Sequence, residues 1–266
     1  MGAFEAFLLG LVQGLTEFLP VSSSGHLELG KALLGVKEGG LAFSIVVHGA
    51  TSLSTIVVFR KDIQHLLLGL VASGEFWNPA RRFAGFVLLS MLPLAVVYFS
   101  FSDWIEARLD GHLASVGWAL MFTSALLFWA QRRGKTGGKV GIVEAVIIGC
   151  AQAVAVLPGV SRSGATLSAA LLLGVDREEA ARFSFLMVLP PILGATALEI
   201  RDWMDPLHQV AGSVSAGALV VGAAAAFVSG CWACKIMISL VKRNGFNGFA
   251  AYCFLAGLTA VLFTYA

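Results

Sequence analysis

Long apolar stretches constrain the fold of this chain more than any other feature. Hydrophobic residues make up 58% of its 266 residues, and only 13% are charged. A helix needs about 20 consecutive apolar residues to cross a bilayer. Runs of about that length occupy residues 41–59, 83–102, 113–131, 209–234 and 246–266, and a shorter run, 183–198, contains Pro190-Pro191. The sequence therefore predicts an all-α polytopic membrane protein with six transmembrane helices, the shorter one kinked at its prolines.

Two further segments, residues 1–35 and 140–175, differ from these six runs. Each has the pattern of a helix, a polar loop rich in glycine and serine, and a shorter helix. Each helical part is shorter than the length that a membrane-spanning helix ordinarily has. Non-helical backbone at membrane depth is tolerated only where it is buried in protein or lines a wet cavity. Both segments are therefore predicted to be re-entrant helical hairpins, or helices broken at the middle of the membrane.

The two hairpins are copies of one ancestral unit. Residues 5–25 align without a gap on residues 144–164, at a constant shift of 139 residues. The identical pairs are Glu5/Glu144, Ala6/Ala145, Gly10/Gly149, Gln13/Gln152, Val21/Val160, Ser22/Ser161, Ser24/Ser163 and Gly25/Gly164. A random register would give roughly one or two identities at ordinary composition. We therefore predict a single membrane domain, 1–266, made of two repeats at about 1–133 and 140–266.

Charged residues between the apolar runs predict the orientation of the repeats. Basic residues dominate in 60–82, 132–139 and 235–243, whereas 103–110 and 201–205 are mixed or acidic. Since cytoplasmic loops carry an excess of Lys and Arg, the first three are predicted to be cytoplasmic loops. The first hairpin then enters the membrane from outside and the second from the cytoplasm. Such an inverted-topology repeat would bring the two loops face to face at the middle of the membrane.

The second hairpin contains an arginine where lipid would not tolerate one. Its loop reads Pro158-Gly159-Val160-Ser161-Arg162-Ser163-Gly164-Ala165-Thr166. An intramembrane arginine costs about 2.5–3.5 kcal/mol or more unless it has a partner. Hydroxyls, glycine amides and a guanidinium in one loop are the groups that bind phosphate. The loop therefore predicts an anion site.

The first hairpin contains acid–base groups instead. Gln13 and Glu17 are four residues apart, so they share a helix face. Pro20 is expected to end that helix, and the serines that follow can cap the next one. With Ser23 and His26, the loop has the carboxylate, hydroxyl and imidazole of an activated nucleophile or a general acid–base pair.

The repeat also predicts a division of labour between the loops. At the shift of 139 residues, Ser23 corresponds to Arg162, and Glu17 corresponds to Val156. Structural roles are the competing interpretation. Glu17 and Arg162 could form an ion pair between the repeats, and the serines common to both repeats could serve only as helix caps. Two loops full of polar groups favour a cavity over an isolated ion pair.

At these residues the chain resembles the undecaprenyl-pyrophosphate phosphatase family, the bacitracin-resistance membrane phosphatases. The family motifs appear here as Gln13 four residues before Glu17, as Pro20-Val21-Ser22-Ser23-Ser24-Gly25-His26, and as the run from Pro158 to Thr166. Phe59-Arg60-Lys61-Asp62-Ile63 also fits the family pattern. The resemblance extends over essentially the whole chain. One departure is Gln13, because many members carry Glu there, which removes a second carboxylate as a metal ligand.

The resemblance implies hydrolysis of undecaprenyl pyrophosphate to undecaprenyl phosphate, the lipid carrier of cell-wall precursors, and bacitracin resistance. The implied catalytic residues are Glu17, Ser23, His26 and Arg162. The implied substrate-binding residues are Gln13, Ser22, Ser24, Gly25, Gly159, Ser161, Ser163, Gly164 and Thr166. Whether Ser23, His26 or water attacks stays open. The implied cofactor is a divalent cation, Mg²⁺ or Ca²⁺, with Glu17 as its candidate ligand.

The expected location is the bacterial cytoplasmic (inner) membrane, with the active site facing the outer, periplasmic side. The net charge of +2 gives no indication of a nucleic-acid partner, and the sequence leaves a homodimer open. A second function is compatible with the same repeat. Secondary transporters also place an anion site between inverted repeats, so a transporter or flippase of polyprenyl phosphate is the alternative. The acid, hydroxyl and imidazole of the first loop favour the phosphatase, since a carrier needs no nucleophile.

Overall fold

The computed structural model describes residues 1–36, 41–72, 78–109, 113–132, 137–204, 214–243 and 245–265. This part of the chain is helical, and its only strand-like pairing is the isolated bridge between Gly138 and Val175. The helices are α1 (Ala3–Phe18), α2 (Ser23–Leu33), α3 (Leu41–Val58), α4 (Arg60–Val71), α5 (Pro79–Leu109), α6 (Leu113–Arg132), α7 (Ile142–Val154), α8 (Arg162–Leu172), α9 (Arg177–Leu186), α10 (Leu189–Met204), α11 (Ala216–Lys242) and α12 (Asn247–Tyr265).

Helix length and composition confirm an all-α polytopic membrane protein. Among the described residues, five helical stretches are long and apolar enough to cross a membrane, or up to six if a bent helix pair counts as one span. The five are Pro79–Phe101, Leu113–Arg132, Arg177–Leu198, Ala216–Lys242 and Asn247–Tyr265, and the bent pair joins Ala42–Val58 to Arg60–Val71. The predicted number of six lies within this range. The inverted orientation stays a prediction.

Several charged residues that were predicted to lie in loops belong to helices. Arg60 and Lys61 begin α4, and Arg81 and Arg82 lie in the first turn and a half of α5. Asp103, Glu106 and Arg108 continue α5, Arg201 and Asp202 belong to α10, and Lys235 and Lys242 belong to α11. Arg133, Lys135, Asp110 and Asp205 lie outside the described residues. The loop prediction was wrong because helices extend beyond their apolar part, where charged side chains can reach polar surroundings.

The double proline breaks the helix where the sequence predicts a kink. α9 ends at Leu186 and α10 begins at Leu189, so Pro190 and Pro191 occupy the first turn of α10. Proline is accepted there because the first amides of a helix have no partner within the helix. The beginning of α9 is capped by Asp176, whose side chain accepts hydrogen bonds from the amides of Glu178 and Glu179.

The helix boundaries agree with the internal repeat. α1 begins at Ala3 and α7 at Ile142, while α2 begins at Ser23 and α8 at Arg162. Both pairs of starting points differ by the 139 residues that separate the aligned sequences. Each copy is a helix, a short loop and a second helix of 11 residues. The local structure of the unit is therefore repeated, whatever the orientation of the copies.

The chain divides into two compact units, and each contains segments of both predicted repeats. The first unit comprises Met1–Leu19, Ser23–Val58 and Val188–Met237. In it, Gly10 of α1 lies against the backbone of Gly222 in α11, and Gly14 lies against Ala226 and Ser229. The missing side chains allow this close approach, as is common between membrane helices. The contacts advance along both helices together, so α1 and α11 run parallel.

The second unit comprises Pro20–Ser22, Phe59–Met187 and Ile238–Ala266. It uses the same packing principle, because Gly149 of α7 lies against the backbone of Ser90 in α5. Gly117 of α6 and Gly257 of α12 likewise approach each other backbone to backbone. Gly149 is the repeat counterpart of Gly10. Ser90 is the repeat counterpart of Ser229, which contacts Gly14, one turn further along α1. The first helix of each hairpin thus packs on a long helix from the other half of the sequence.

Candidate active site

The loop of the first hairpin is short and tightly turned. α1 ends at Phe18, and α2 begins at Ser23. Between them, Ser22 has a φ of 71°, in the left-handed region that residues other than glycine rarely adopt. Ser22 is also buried. Backbone held in such a conformation costs about 1–3 kcal/mol and is found preferentially at functional sites, so the turn into α2 is a candidate site on its own geometry.

Glu17 stands at the centre of the polar groups of this hairpin. One of its carboxylate oxygens, Oε2, accepts a hydrogen bond from the Ser23 hydroxyl at 2.6 Å and another from Nε2 of Gln13 at 3.1 Å. Gln13 is fully buried on α1. The spacing of four residues places Gln13 and Glu17 on one helix face, as predicted. The turn after α1 then brings Ser23 back onto the same carboxylate.

This arrangement is suited to activating the serine. The Ser23–Glu17 distance is in the range of short hydrogen bonds from a hydroxyl to a carboxylate, about 2.5–2.7 Å. A hydroxyl nucleophile is weak by itself, and an adjacent base within hydrogen-bond reach makes it reactive. Gln13 fixes the orientation of the carboxylate, because its amide donates to the same oxygen. The structure therefore joins a hydroxyl, a carboxylate and an amide that orients the carboxylate, which makes Ser23 and Glu17 a candidate nucleophile and base.

The other predicted residues of the first hairpin lie on α2. His26 follows Ser23 by three residues, about one turn along the helix, and is half-buried. Ser24 is exposed, and Gly25 is buried. Residues three apart on a helix are neighbours on its surface. His26 therefore lies on the same side of α2 as Ser23, in the first turn of the helix.

The oxygen atoms around Glu17 are of the kind that a hard divalent cation binds. The side-chain oxygen of Gln13, Oε1, is buried and has no hydrogen-bond partner among the residues that the structure describes. Mg²⁺ is commonly held by one or two carboxylates together with substrate phosphates, and amide oxygens are suitable ligands for Ca²⁺. Among the described residues there is no group of three or more His, Cys, Asp or Glu side chains that could hold a metal ion by itself. A cation here would need the substrate's oxygens.

The loop of the second hairpin is longer and packs on α6. It runs from Ala155 to the helix cap Ser161, and Gly159 within it has a φ of 92°. A side chain at Gly159 would clash with the backbone of Val116 and with Ala119. Glycine is therefore required at this position for two reasons, the backbone conformation and the close approach to α6.

Hydroxyl groups surround the start of α8. The Ser161 side chain caps the helix by accepting from the amide of Gly164 at 3.2 Å, and its oxygen lies 3.3 Å from that of Ser163. The Thr166 hydroxyl donates to the carbonyl of Arg162 at 3.0 Å. Arg162 is the first residue of α8 and is half-buried, as is Ser163. A guanidinium and hydroxyls at the positive end of a helix dipole match the chemistry of a phosphate site.

The structure adds one residue that the sequence analysis missed. Thr123 lies within α6 and is fully buried, and its oxygen accepts a hydrogen bond from the amide of Ser161 at 3.1 Å. This bond ties the beginning of α8 to α6. Nothing in the sequence distinguishes Thr123 from a residue that packs between membrane helices. Its role depends on a contact between positions 38 residues apart.

Comparison with known proteins agrees with these observations. The sequence model of a family described as "Bacitracin resistance protein BacA" matches residues 6–259. A protein of Christiangramia forsetii named undecaprenyl-diphosphatase is 49% identical over 269 residues, covering 100% of both chains. Proteins of the same name from Bacteroides thetaiotaomicron and Rubrobacter xylanophilus are 46% and 41% identical, with at least 97% of each chain covered. The chain belongs to the bacitracin resistance protein BacA family.

Proposed function

We propose that this protein is an undecaprenyl-diphosphatase of the bacterial membrane. It hydrolyses undecaprenyl pyrophosphate to undecaprenyl phosphate and inorganic phosphate, which returns the lipid carrier to cell-wall synthesis and gives resistance to bacitracin. Full-length relatives carry this name at 46–49% identity. The observation that carries the proposal is the hydrogen bond of 2.6 Å from the Ser23 hydroxyl to the Glu17 carboxylate, because it supplies the nucleophile and base that hydrolysis needs.

In the proposed reaction, Ser23 attacks the terminal phosphorus of the pyrophosphate. A bond forms between the serine oxygen and phosphorus, the hydroxyl proton passes to Glu17, and the phosphoanhydride bond breaks to release undecaprenyl phosphate. Water then attacks the phosphoserine, inorganic phosphate leaves, and the serine oxygen recovers a proton. His26, one turn along α2, is the proposed group that takes the proton of this water. Direct attack by water, assisted by Glu17, is the competing mechanism.

Binding of the pyrophosphate is assigned to the second loop together with Gln13 and the serines of the first. Phosphoryl transfer needs mostly positioning and neutralisation of charge. Arg162 supplies a fixed positive charge, and Ser161, Ser163 and Thr166 supply hydroxyls around it. The proposed second-loop set is completed by the backbone amides of Gly159 and Gly164. In the first loop, Ser22, Ser24 and Gly25 are the proposed partners of the phosphate oxygens.

A divalent cation, Mg²⁺ or Ca²⁺, would add neutralisation of the pyrophosphate charge. The groups that would hold it are the Glu17 carboxylate and the buried Gln13 oxygen, which has no hydrogen-bond partner in the described part of the chain. An amide in this position gives one negative charge fewer than a pair of carboxylates would. Binding of the cation is therefore expected to depend strongly on the charge of the substrate.

The protein is a multi-pass membrane protein, and we propose that its active site faces the outer side. The parallel packing of α1 and α11, seen at Gly10 and Gly14, supports entry of the first hairpin from the outer side, on which this proposal depends. Lys235 and Lys242 lie in the second half of α11, so the positive-inside rule places that end in the cytoplasm. α1 then begins on the outer side and carries Glu17 inward near its end.

Hydrolysis in detergent micelles tests the proposal, because a micelle has no two sides between which a transporter could work. The purified protein is expected to release phosphate from undecaprenyl pyrophosphate. Replacing Glu17→Gln removes the base, and loss of a general base typically lowers a rate by about 10²–10⁴-fold. The matched control is Glu28→Gln, since Glu28 is exposed on α2 and pairs only with its neighbour Lys31 in the described contacts. Phosphate release by E17Q at the unmutated rate would refute the assignment.

Trapping of a covalent intermediate distinguishes the two mechanisms. If Ser23 attacks, acid quenching during turnover of substrate labelled in the terminal phosphate leaves label on the protein, and Ser23→Ala abolishes both label and turnover. If water attacks directly, no label is retained and S23A keeps part of its activity. Either result decides the nucleophile without changing the assigned reaction.

A further inference from the structure

A cavity lies in the second unit, between α6 and α12, on residues that the proposed reaction does not use. Its volume is about 950 Å³, at the upper end of the range of about 300–1,000 Å³ typical of ligand pockets. Aromatic side chains of both helices form its wall, among them Phe128, Trp129 and Phe254. Arg132 and Asn247 lie at one end, where α6 ends and α12 begins.

The position of the cavity separates it from the second loop. Ser124, which lines the cavity, donates a hydrogen bond of 2.6 Å to the carbonyl of Ala250 across the α6–α12 contact. Its neighbour Thr123 points to another face of α6 and accepts from Ser161. Successive residues on a helix point about 100° apart, so α6 presents one face to the loop and another to the cavity.

The surroundings of the cavity indicate an amphiphile with a negative head. Trp129 is 60% exposed and Phe254 is 45% exposed. On a membrane-spanning helix, exposed apolar side chains of this kind are in contact with lipid. The guanidinium of Arg132 lies 3.9 Å from the centre of the Phe128 ring, which keeps the charge at the margin of the apolar wall. The sequence from Arg132 to Lys139 contains four basic residues and no acidic one.

We propose that this cavity binds an anionic phospholipid. The acyl chains pack along Phe128, Trp129 and Phe254, and the phosphate is held by Arg132 and Asn247. Basic pockets between membrane helices at the cytoplasmic surface bind anionic head groups, and the end of α6 at Arg132 is the end that the positive-inside rule assigns to the cytoplasm. The charge of the site selects an anionic lipid over a zwitterionic one with the same chains.

Thermal unfolding of the delipidated protein in detergent tests the proposal. Added phosphatidylglycerol is expected to raise the unfolding midpoint more than phosphatidylcholine with identical acyl chains, because only the first has a net negative head. Arg132→Gln should weaken the binding of phosphatidylglycerol roughly tenfold or more, as expected for loss of a charged hydrogen-bonding partner. The matched control is Arg82→Gln, another exposed arginine of this unit, at the start of α5, which should bind like the unmutated protein.

A second variant tests the apolar part of the site. Ala251 lines the cavity and is exposed, so Ala251→Trp fills the space without disturbing buried packing. It should abolish the stabilisation by phosphatidylglycerol while hydrolysis continues. Equal stabilisation by the two lipids, or unchanged binding in R132Q, would overturn the proposal. So would competition by undecaprenyl phosphate for the same site, which would assign the cavity to the carrier lipid. A dimer that A251W dissociates, with no effect of phosphatidylglycerol, would assign it to a second copy of the chain.

Discussion

The two hairpin loops began as the same sequence and now differ in what holds them. The first loop turns through a strained residue, Ser22, and is organised by a hydrogen-bonded group around Glu17. The second has its unusual conformation at Gly159, where no side chain is strained, and is fixed to α6 by Thr123. In the first loop the polar side chains bind one another, whereas in the second the backbone is bound to the scaffold.

This difference matches the tasks that we propose for the loops. A base and nucleophile must be held in mutual contact, which the Gln13, Glu17 and Ser23 side chains achieve directly. A phosphate-binding loop must instead keep amides and hydroxyls directed at a ligand, so a rigid backbone is the more useful property. The proposed division of labour therefore assigns the reactive groups to one copy and the anion site to the other.

The largest effect that would test this comparison is at Arg162. Arg162→Lys keeps the positive charge but loses the planar fork that binds two phosphate oxygens. Because hydrogen bonds to charged groups contribute about 1.5–3 kcal/mol, kcat/KM for undecaprenyl pyrophosphate should fall roughly 10–100-fold. Arg82→Lys, at an exposed position on α5, should change it little. Equal kinetics of R162K and the unmutated protein would show that the second loop does not bind the pyrophosphate.

A smaller effect is expected at Thr123, which holds the second loop to α6 through the Ser161 amide. Thr123→Val preserves shape and removes the acceptor of the Ser161 amide, which is buried. Leaving a buried amide without a partner costs about 1–3 kcal/mol, so the unfolding midpoint should drop and KM should rise several-fold. Thr123→Ser restores the acceptor and should restore both.

The control for Thr123 is an exposed threonine of the same unit. Thr259 donates to the carbonyl four residues earlier in α12, as Thr123 does in α6, but it accepts no loop amide in the described contacts. Thr259→Val should therefore alter neither stability nor KM appreciably. If T123V and T259V behave alike, the bond to Ser161 does not support the loop.

Much of this architecture could be predicted from the sequence, because lipid imposes simple rules. Apolar length gave six spans, within the range of five to six in the described residues. The shift of 139 residues gave matching helix starts, and Pro190-Pro191 gave the break between α9 and α10. The spacing of Gln13 and Glu17 gave their shared face. Local periodicity and chain-breaking residues are sufficient for features of this kind.

Other features depend on distant contacts and could not be predicted in this way. The support of Ser161 by Thr123, and the cavity between α6 and α12, join residues far apart in the sequence. The helical state of Arg60 and Lys61 also differs from the sequence-based prediction, because charged residues occur at helix ends as well as in loops. The compact units mix segments of both repeats, whereas the repeat boundaries at about 1–133 and 140–266 describe ancestry and stay a prediction.

The smallest expected effect is also the sharpest test of the difference between the loops, because it compares the same substitution at equivalent positions. Ser22 and Ser161 occupy the same place in the repeat, but only Ser22 has a positive φ. Ser22→Gly relieves a strain of about 1–2 kcal/mol and loses about 0.4–1 kcal/mol through the greater freedom of the unfolded chain. Relief of this strain should therefore make the change in its unfolding midpoint more favourable than that of Ser161→Gly, while hydrolysis falls because a proposed phosphate partner is lost.

Ser161→Gly has no strain to relieve. It loses the cap to the Gly164 amide, which costs a few tenths of a kcal/mol when glycine replaces serine, and it carries the same penalty from the unfolded chain. Its midpoint should fall. The measurement is thermal unfolding of both variants side by side in one detergent. A decrease of similar size in both would mean that the turn at Ser22 holds no strain. The two loops would then not differ in backbone strain, and this part of the comparison would be wrong.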